Sequence, residues 1–110
     1  MLDMAMATYW QRGEALDYVN NSTDKLAVGS VVKLEGRVGV AGDTIMPRMK
    51  GILHVSGVYK FSKTSTNEIK MGTSVYFDDT GITEASGGTP AGYAAETASA
   101  DAKEILVKIG

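Results

Sequence analysis

The residues with the clearest catalytic potential are Asp79-Thr80-Gly81. An aspartate in this triplet can act as one half of a carboxylate pair that shares a proton across a dimer axis, the chemistry of retroviral-type aspartic proteases. Those enzymes have apolar residues directly before the aspartate, whereas this chain has Asp78 there. Two carboxylates followed by a glycine are typical of an exposed turn. The sequence therefore favours a turn, and an aspartic protease using Asp79 remains the alternative.

The sequence lacks the residues that other catalytic and ligand-binding sites require. His54 is the only histidine, and the chain has no cysteine. A histidine-dependent hydrolase needs a nucleophile and an orienting acid, which the sequence does not identify, and a zinc site needs more His or Cys ligands than one chain supplies. The phosphate-binding loop pattern is also absent. We therefore predict no catalytic residue, no cofactor and no metal, and we expect His54 on a mixed strand face or at an interface.

Charge and hydropathy limit the possible partners. Eleven basic and thirteen acidic residues are interspersed and give a net charge of −2. Nucleic-acid binding requires a basic stripe, so we expect no nucleic-acid partner. No apolar run approaches the roughly 20 residues of a membrane span, so we expect no membrane partner. The N-terminal residues lack the basic region of a signal peptide.

Tyr9 and Trp10 follow an apolar N-terminal stretch and allow two interpretations. As core residues they would close one end of a barrel. As interface residues they would act as anchors, because Tyr and Trp are enriched at binding hot spots. The sequence leaves both open.

One sequence motif occurs twice among the elements that must position these residues. LAVGSVVKL at 26–34 and IKMGTSVYF at 69–77 share their apolar positions and one glycine, and each is followed by an echo, GVA at 39–41 and GYA at 92–94. The second echo comes later, which predicts an inserted hairpin. The shared positions are turn glycines and inward apolar residues, so the repeat predicts a framework and not a reactive site.

Short alternating segments separated by turn residues predict an all-β fold, a small β-barrel or β-sandwich of short antiparallel strands. Thirteen glycines and two prolines agree with tight turns. We expect an extended N-terminal arm over 1–12 and a single β domain over 13–110, with one helical turn over 24–28. The predicted strands cover 14–19, 31–35, 36–41, 44–46, 50–61 with a bulge or a sharp bend at Gly57, 82–85, 90–95 and 104–109.

Inward positions of these strands define a candidate core. It consists of Leu26, Val32, Leu34, Val40, Val55, Tyr59, Val75, Phe77, Tyr93, Ile105 and Val107.

An ordered set of short motifs runs through nearly the whole chain, from about residue 8 to 110. It comprises residues 9–13, Leu16-Asp17-Tyr18, the 26–34 block, Gly39-Val40-Ala41, residues 55–59, residues 72–77, TPAGYAA at 89–95 and residues 105–109. In this order the chain resembles the small phage and prophage capsid cement (decoration) proteins, a domain of unknown function. It departs from their common form by seven additional N-terminal residues.

The resemblance implies a non-enzymatic protein on the outside of an icosahedral shell, where it bridges subunits of the major capsid protein. It implies a homo-oligomer, a homotrimer first and a dimer second, on the virion capsid surface after synthesis in the host cytoplasm. We expect Tyr9, Trp10 and Arg12 to contact the capsid or a neighbouring subunit. A third hypothesis is a carbohydrate- or peptide-binding β module of a virion, with an aromatic groove built from Trp10 and the tyrosines.

Overall fold

The computed structural model describes residues 5–110, and this part of the chain forms nine strands and no helix. The predicted all-β class is therefore confirmed. The strands are β1 (Ala15–Val19), β2 (Val31–Leu34), β3 (Arg37–Ala41), β4 (Lys50–His54), β5 (Gly57–Ser62), β6 (Ser74–Phe77), β7 (Ile82–Thr83), β8 (Thr89–Ala94) and β9 (Glu104–Ile109).

The strands form two open sheets and not a closed barrel. The first sheet has the order β1-β4-β3-β2 and the second has the order β5-β9-β8-β6-β7. The named strand pairs are all antiparallel. Of the two predicted architectures, the structure thus has the sandwich, with two sheets packed face to face.

The two sheets repeat the same topology. The order β1-β4-β3-β2 corresponds strand by strand to β5-β9-β8-β6, and β7 is the extra strand of the second sheet. β7 pairs with β6, so the predicted insertion between the second motif and its echo is a hairpin. The repeated sequence motif is therefore one part of a longer structural repeat, in which each half of the chain forms a sheet with the same strand order.

Equivalent hydrogen bonds fix the repeat at its glycine turns. The amide of Gly29 donates to the carbonyl of Ala41 at 2.8 Å, and the amide of Gly72 donates to that of Ala94 at 2.8 Å. Both glycines have left-handed φ angles, 88° and 92°, which L-residues rarely adopt. Glycine thus recurs at the same position of the two motifs because the turn there requires it.

The two sheets pack with unlike faces in contact. We call the face of the first sheet that carries Leu16 and Leu53 its front face, and the face that carries His54 and Val40 its back face. The equivalent strand positions define the front and back faces of the second sheet. Val38 and Val40, from the back face of the first sheet, lie in the main core. The other members of this core are residues of the second half, namely Phe61, Ile69, Val75, Ile82, Ala91, Ala94, Ala98, Ile105, Val107 and Ile109.

The predicted core is largely right. Val32, Val40, Val75, Ile105 and Val107 are buried. The half-buried members are Leu26, Leu34, Val55, Tyr59 and Phe77.

Tyr93 is the error in the predicted core, because 46% of it is exposed on the back face of the second sheet. Its counterpart in the first half, Val40, is buried because the second sheet covers that position. Nothing in residues 5–110 covers the back face of the second sheet in the same way.

Two local predictions are wrong. Residues 50–61 form two strands in different sheets, because the chain passes from β4 to β5 at Val55 and Ser56 and Gly57 takes a φ of 122°. Residues 24–28 form no helical turn, since Leu26 pairs with Ile45 in an isolated antiparallel bridge. The strand expected over 44–46 is reduced to this bridge.

Candidate functional site

The acidic turn after β6 is built around the side chain of Asp78. Its Oδ1 accepts hydrogen bonds from the amides of Thr80 (3.0 Å) and Gly81 (2.9 Å) and from the Thr80 hydroxyl (2.8 Å). Its Oδ2 accepts from the hydroxyl of Thr64 at 2.7 Å. These donors, with the Thr64 hydroxyl first, lower the pKa of Asp78 from 3.8 to about 2 against the opposing effect of partial burial. Asp78 is a structural turn residue that stays ionised.

Asp79 lies at the tip of the same turn. Its φ is 79°, which Asp and Asn adopt more readily than most residues. Its Oδ1 lies 2.7 Å from Nζ of Lys33 on β2, and its side chain is 66% exposed. In a protease dyad the aspartate shares a proton with a second carboxylate, whereas the neighbour of Asp79 within this chain is a lysine ammonium. The geometry supports the turn interpretation of Asp79.

His54 lies at the junction of the two sheets. It is half-buried at the end of β4, and its ring centroid is 6.1 Å from that of Tyr59, with an interplanar angle of 31°. Its Nε2 also lies against Gly42, where an added Cβ would come within 2.7 Å of it. Of the two expectations for His54, the structure shows the mixed strand face, because exposed Ile52 and Lys50 share that face of β4. Packing accounts for this histidine.

The N-terminal arm leaves its aromatic side chains in solvent. Residues 5–13 belong to no strand, and Met6, Tyr9 and Trp10 are 92%, 80% and 88% exposed. The interpretation of Tyr9 and Trp10 as a core plug is therefore wrong. Tyr and Trp side chains are enriched at binding hot spots, so the exposed pair is compatible with the predicted contact role, which stays a prediction. Residues 1–4 of the predicted arm lie outside the described residues.

Arg12 lies where the arm joins β1. Its guanidinium NH2 group is 3.4 Å from Oε2 of Glu14, and both side chains are largely exposed. An exposed ion pair of this kind contributes little stability. Arg12 also lines a hollow of about 460 Å³ together with Gln11, Ala15, Leu16, Asp17 and Ile52. The three residues singled out by the sequence thus lie on one short segment beside an open hollow.

Exposed apolar side chains concentrate around this segment. The turn at 46–49 is held against the end of β1, because the amide of Asn20 donates to the carbonyl of Met49 at 3.0 Å. β1 is also an edge strand with β4 as its partner. We call the arm together with the exposed residues of β1, β4 and this turn the arm surface; its exposed apolar members are Met6, Tyr9, Trp10, Leu16, Val19, Met46, Met49 and Ile52.

Sequence reasoning missed the part of the arm surface that lies outside the arm. Leu16, Val19 and Ile52 fall in strands whose alternation suggests burial, yet each is more than 40% exposed. For Leu16 and Val19 the signal is topological, because they lie on an edge strand, which has a neighbouring strand on one side only. Leu16 lies on the face of the sheet that carries Leu53, and Val19 and Ile52 lie on the opposite face, so the exposed apolar side chains occur on both faces of the β1–β4 pair.

The other aromatic side chains do not extend this surface. Tyr93 is exposed on β8 of the second sheet, and Tyr18 and Tyr76 are half-buried on different sheets. The aromatic residues expected to line a carbohydrate-binding groove are thus distributed over separate elements. Within residues 5–110, no cluster of three or more His, Cys, Asp or Glu side chains could hold a metal ion. That same range contains no helix long and apolar enough to cross a membrane.

Comparison with known proteins identifies one relationship. Residues 10–109 match a family model described as phage cement protein. The match begins at Trp10, so it includes Trp10 and Arg12 and leaves out Tyr9 and the preceding arm. No curated protein and no solved structure is similar to the chain at a level that shows a relationship.

Proposed function

The chain belongs to the phage cement protein family, and from this premise we propose that it binds the outer surface of the major capsid lattice and stabilises it. Membership supports a structural role in a phage virion. The finer proposal is that the protein holds neighbouring major-capsid subunits together on the virion capsid surface, after synthesis in the host cytoplasm, and that it is not an enzyme.

The observation that carries this proposal is the arm surface. Its Tyr9 and Trp10 are solvated anchors, and Arg12 adds a cation at the rim of the adjoining hollow. Binding energy at protein interfaces concentrates in buried Trp, Tyr and Arg side chains. An extended arm can reach a neighbouring subunit while the β sheets rest on another, which is the geometry that joining two subunits requires.

Symmetry makes weak contacts of this kind effective. A shell presents many identical sites, and linked copies bind with avidity when their spacing matches the lattice. We propose a homotrimer, with a dimer as the second possibility, and the major capsid protein as its partner. Each bound oligomer would resist separation of the capsomers against the internal pressure of packaged DNA.

Co-sedimentation with purified expanded capsids that lack the protein tests the proposal. The full chain should pellet with the capsids and saturate, and the chain without residues 1–12 should remain in the supernatant. Trp10→Ala should weaken binding at least about tenfold, the effect of losing a hot-spot side chain. Met71→Ala is the matched control, because Met71 is 67% exposed on a turn of the second half.

Failure of the full chain to pellet with matching capsids would overturn the capsid proposal. Equal losses for Trp10→Ala and Met71→Ala would overturn the role of the arm. Both substituted side chains are exposed, so neither variant should change the fold, and an unchanged melting temperature would verify this.

A further inference from the structure

The internal duplication pairs unlike faces of the two sheets. On the back face of the first sheet, Ala15, His54, Val40 and Val31 form one row across β1, β4, β3 and β2. This row packs toward the second sheet. A hollow between the sheets brings Val31 and Val40 together with Phe61 and two further front-face side chains, Tyr59 and Phe77. The internal interface is therefore back face on front face.

The second sheet has the same row on its own back face. Val58, Lys108, Tyr93 and Ser74 are cross-strand neighbours along β5, β9, β8 and β6, at the positions equivalent to Ala15, His54, Val40 and Val31. Nothing in the described chain packs on this row as the second sheet packs on the first. Val58 is 53% and Tyr93 is 46% exposed.

The complementary surface is present at the other end of the molecule. The front-face residues that receive the internal row are Tyr59, Phe61 and Phe77, and their counterparts in the first sheet are Leu16, Tyr18 and Leu34. All three counterparts are apolar or aromatic. Leu16 is 42% exposed, and Tyr18 and Leu34 are half-buried. The chain thus carries both halves of its internal interface a second time, unpaired and at opposite ends.

Stacked repeats normally end in polar caps, because the outermost face has no neighbour. The back face of the second sheet has a different composition. Its charged side chains Lys60 and Glu104 lie 3.8 Å apart, which leaves Lys108 between the exposed Val58 and Tyr93. The Nζ of Lys108 donates to the carbonyls of Ile109 at 3.1 Å and Gly110 at 3.4 Å, and the exposed Val58 and Tyr93 on either side of it give this face apolar surface of the kind found at interfaces.

We propose that the back face of the second sheet in one copy packs on the front face of the first sheet in another copy of this chain, head to tail. In this arrangement Lys108 takes the place that His54 has beside Tyr59, and it lies over Leu16 of the other copy. Glu14 precedes β1 by one residue and already pairs with Arg12 at 3.4 Å, so the proposed contact rests on the apolar side chains and not on charge.

A head-to-tail contact constrains the assembly. Unlike surfaces meet at each junction, so the contact is heterologous and closes into a ring or continues as a chain, whereas a two-fold dimer would pair like surfaces. Both surfaces belong to this chain, and Leu16 is shared with the arm surface. The proposal can be tested in solution without capsids.

Because the chain has no cysteine, a single introduced cysteine is the only thiol that a cross-linker can modify. One preparation carries Leu16→Cys and a second, with a different affinity tag, carries Lys108→Cys. Treatment with a short bis-maleimide should give cross-linked dimers in the mixture and none in either preparation alone. Cross-links within a single preparation would show like surfaces in contact and would overturn the proposal, as would no cross-link in the mixture.

A second measurement does not depend on the cysteine variants. Sedimentation velocity over rising protein concentration should show the wild-type chain assembling, and Tyr93→Lys should keep it monomeric. Met71→Lys, at an exposed turn of the same half, should assemble like the wild type. A wild-type chain that stays monomeric, or assembly unaffected by Tyr93→Lys, would overturn the proposal.

Discussion

Asn20 and Lys63 are the two buried polar residues of the described chain, and they occupy equivalent positions after β1 and β5. The Nδ2 of Asn20 donates to the carbonyls of Asp24 (2.8 Å) and Ile45 (2.9 Å). The Nζ of Lys63 donates to those of Ser65 (2.7 Å) and Ala100 (3.3 Å). In each half, one buried nitrogen satisfies carbonyls of two loops that must meet, because an unpaired buried carbonyl is costly.

Asn20→Asp should destabilise the fold by about 3 kcal/mol, because a carboxylate cannot donate and would face two carbonyl oxygens in a buried site. Urea unfolding with an unchanged m-value measures this loss. Asn21→Asp is the matched control, since Asn21 is exposed. It should change the unfolding free energy by less than about 0.5 kcal/mol. Similar values for the two variants would contradict the role assigned to Asn20.

Asp78 makes the stability of the fold depend on pH at the acidic turn. Its pKa is lowered in the folded state, so its contribution to stability is complete above the unfolded value of 3.8 and is lost as the pH falls toward about 2. Asp78→Asn should therefore lower the melting temperature most above pH 5. The difference from wild type should shrink between pH 4 and pH 2. Thermal melts across this range test it, and a difference independent of pH would contradict the assignment.

At the scale of elements, the sequence predicts where the strands lie better than it predicts which sheet each strand joins. The repeated glycine spacing at Gly29 and Gly72 reflects a local left-handed turn, so it can be read directly. The break between β4 and β5 cannot, because residues 50–61 alternate continuously and the passage between sheets depends on packing between distant strands. The same reason explains Tyr93, whose alternation matches Val40 although no third sheet covers it.

Gly92 joins the echo motif to the pairing of β8 with β9. Its φ is 129°, and an added Cβ would collide with the carbonyl oxygen of Lys108. Gly92→Ala should therefore cost about 3 kcal/mol or more through backbone strain and a broken strand pair. Gly13→Ala is the control, because an added Cβ there meets nothing within 4 Å. Chemical denaturation of both variants measures the difference, and a gap below about 1 kcal/mol would contradict this account.

The whole molecule is a thin slab, 54 × 43 × 22 Å, with an exposed arm at one end. This shape places most of the chain close to any surface that it covers. The family could be predicted from the sequence because the motifs that carry it are local, and the family match confirms it. The contact roles of Tyr9, Trp10 and Arg12 stay a prediction. The sequence could not identify Leu16 and Val19 as exposed, since their exposure follows from the position of β1 at a sheet edge, nor Ile52, which is 45% exposed on the inner strand β4. The division into an arm over 1–12 and one domain over 13–110 stays a prediction.

Cementing is a statement about the mechanical stability of the shell, so the most direct measurement is the temperature at which DNA-filled capsids lacking this protein release their DNA. Titrating in the purified full chain should raise that temperature until the lattice sites are filled, and the chain without residues 1–12 should leave it unchanged. An unchanged release temperature at saturating full-length protein would contradict the proposed function.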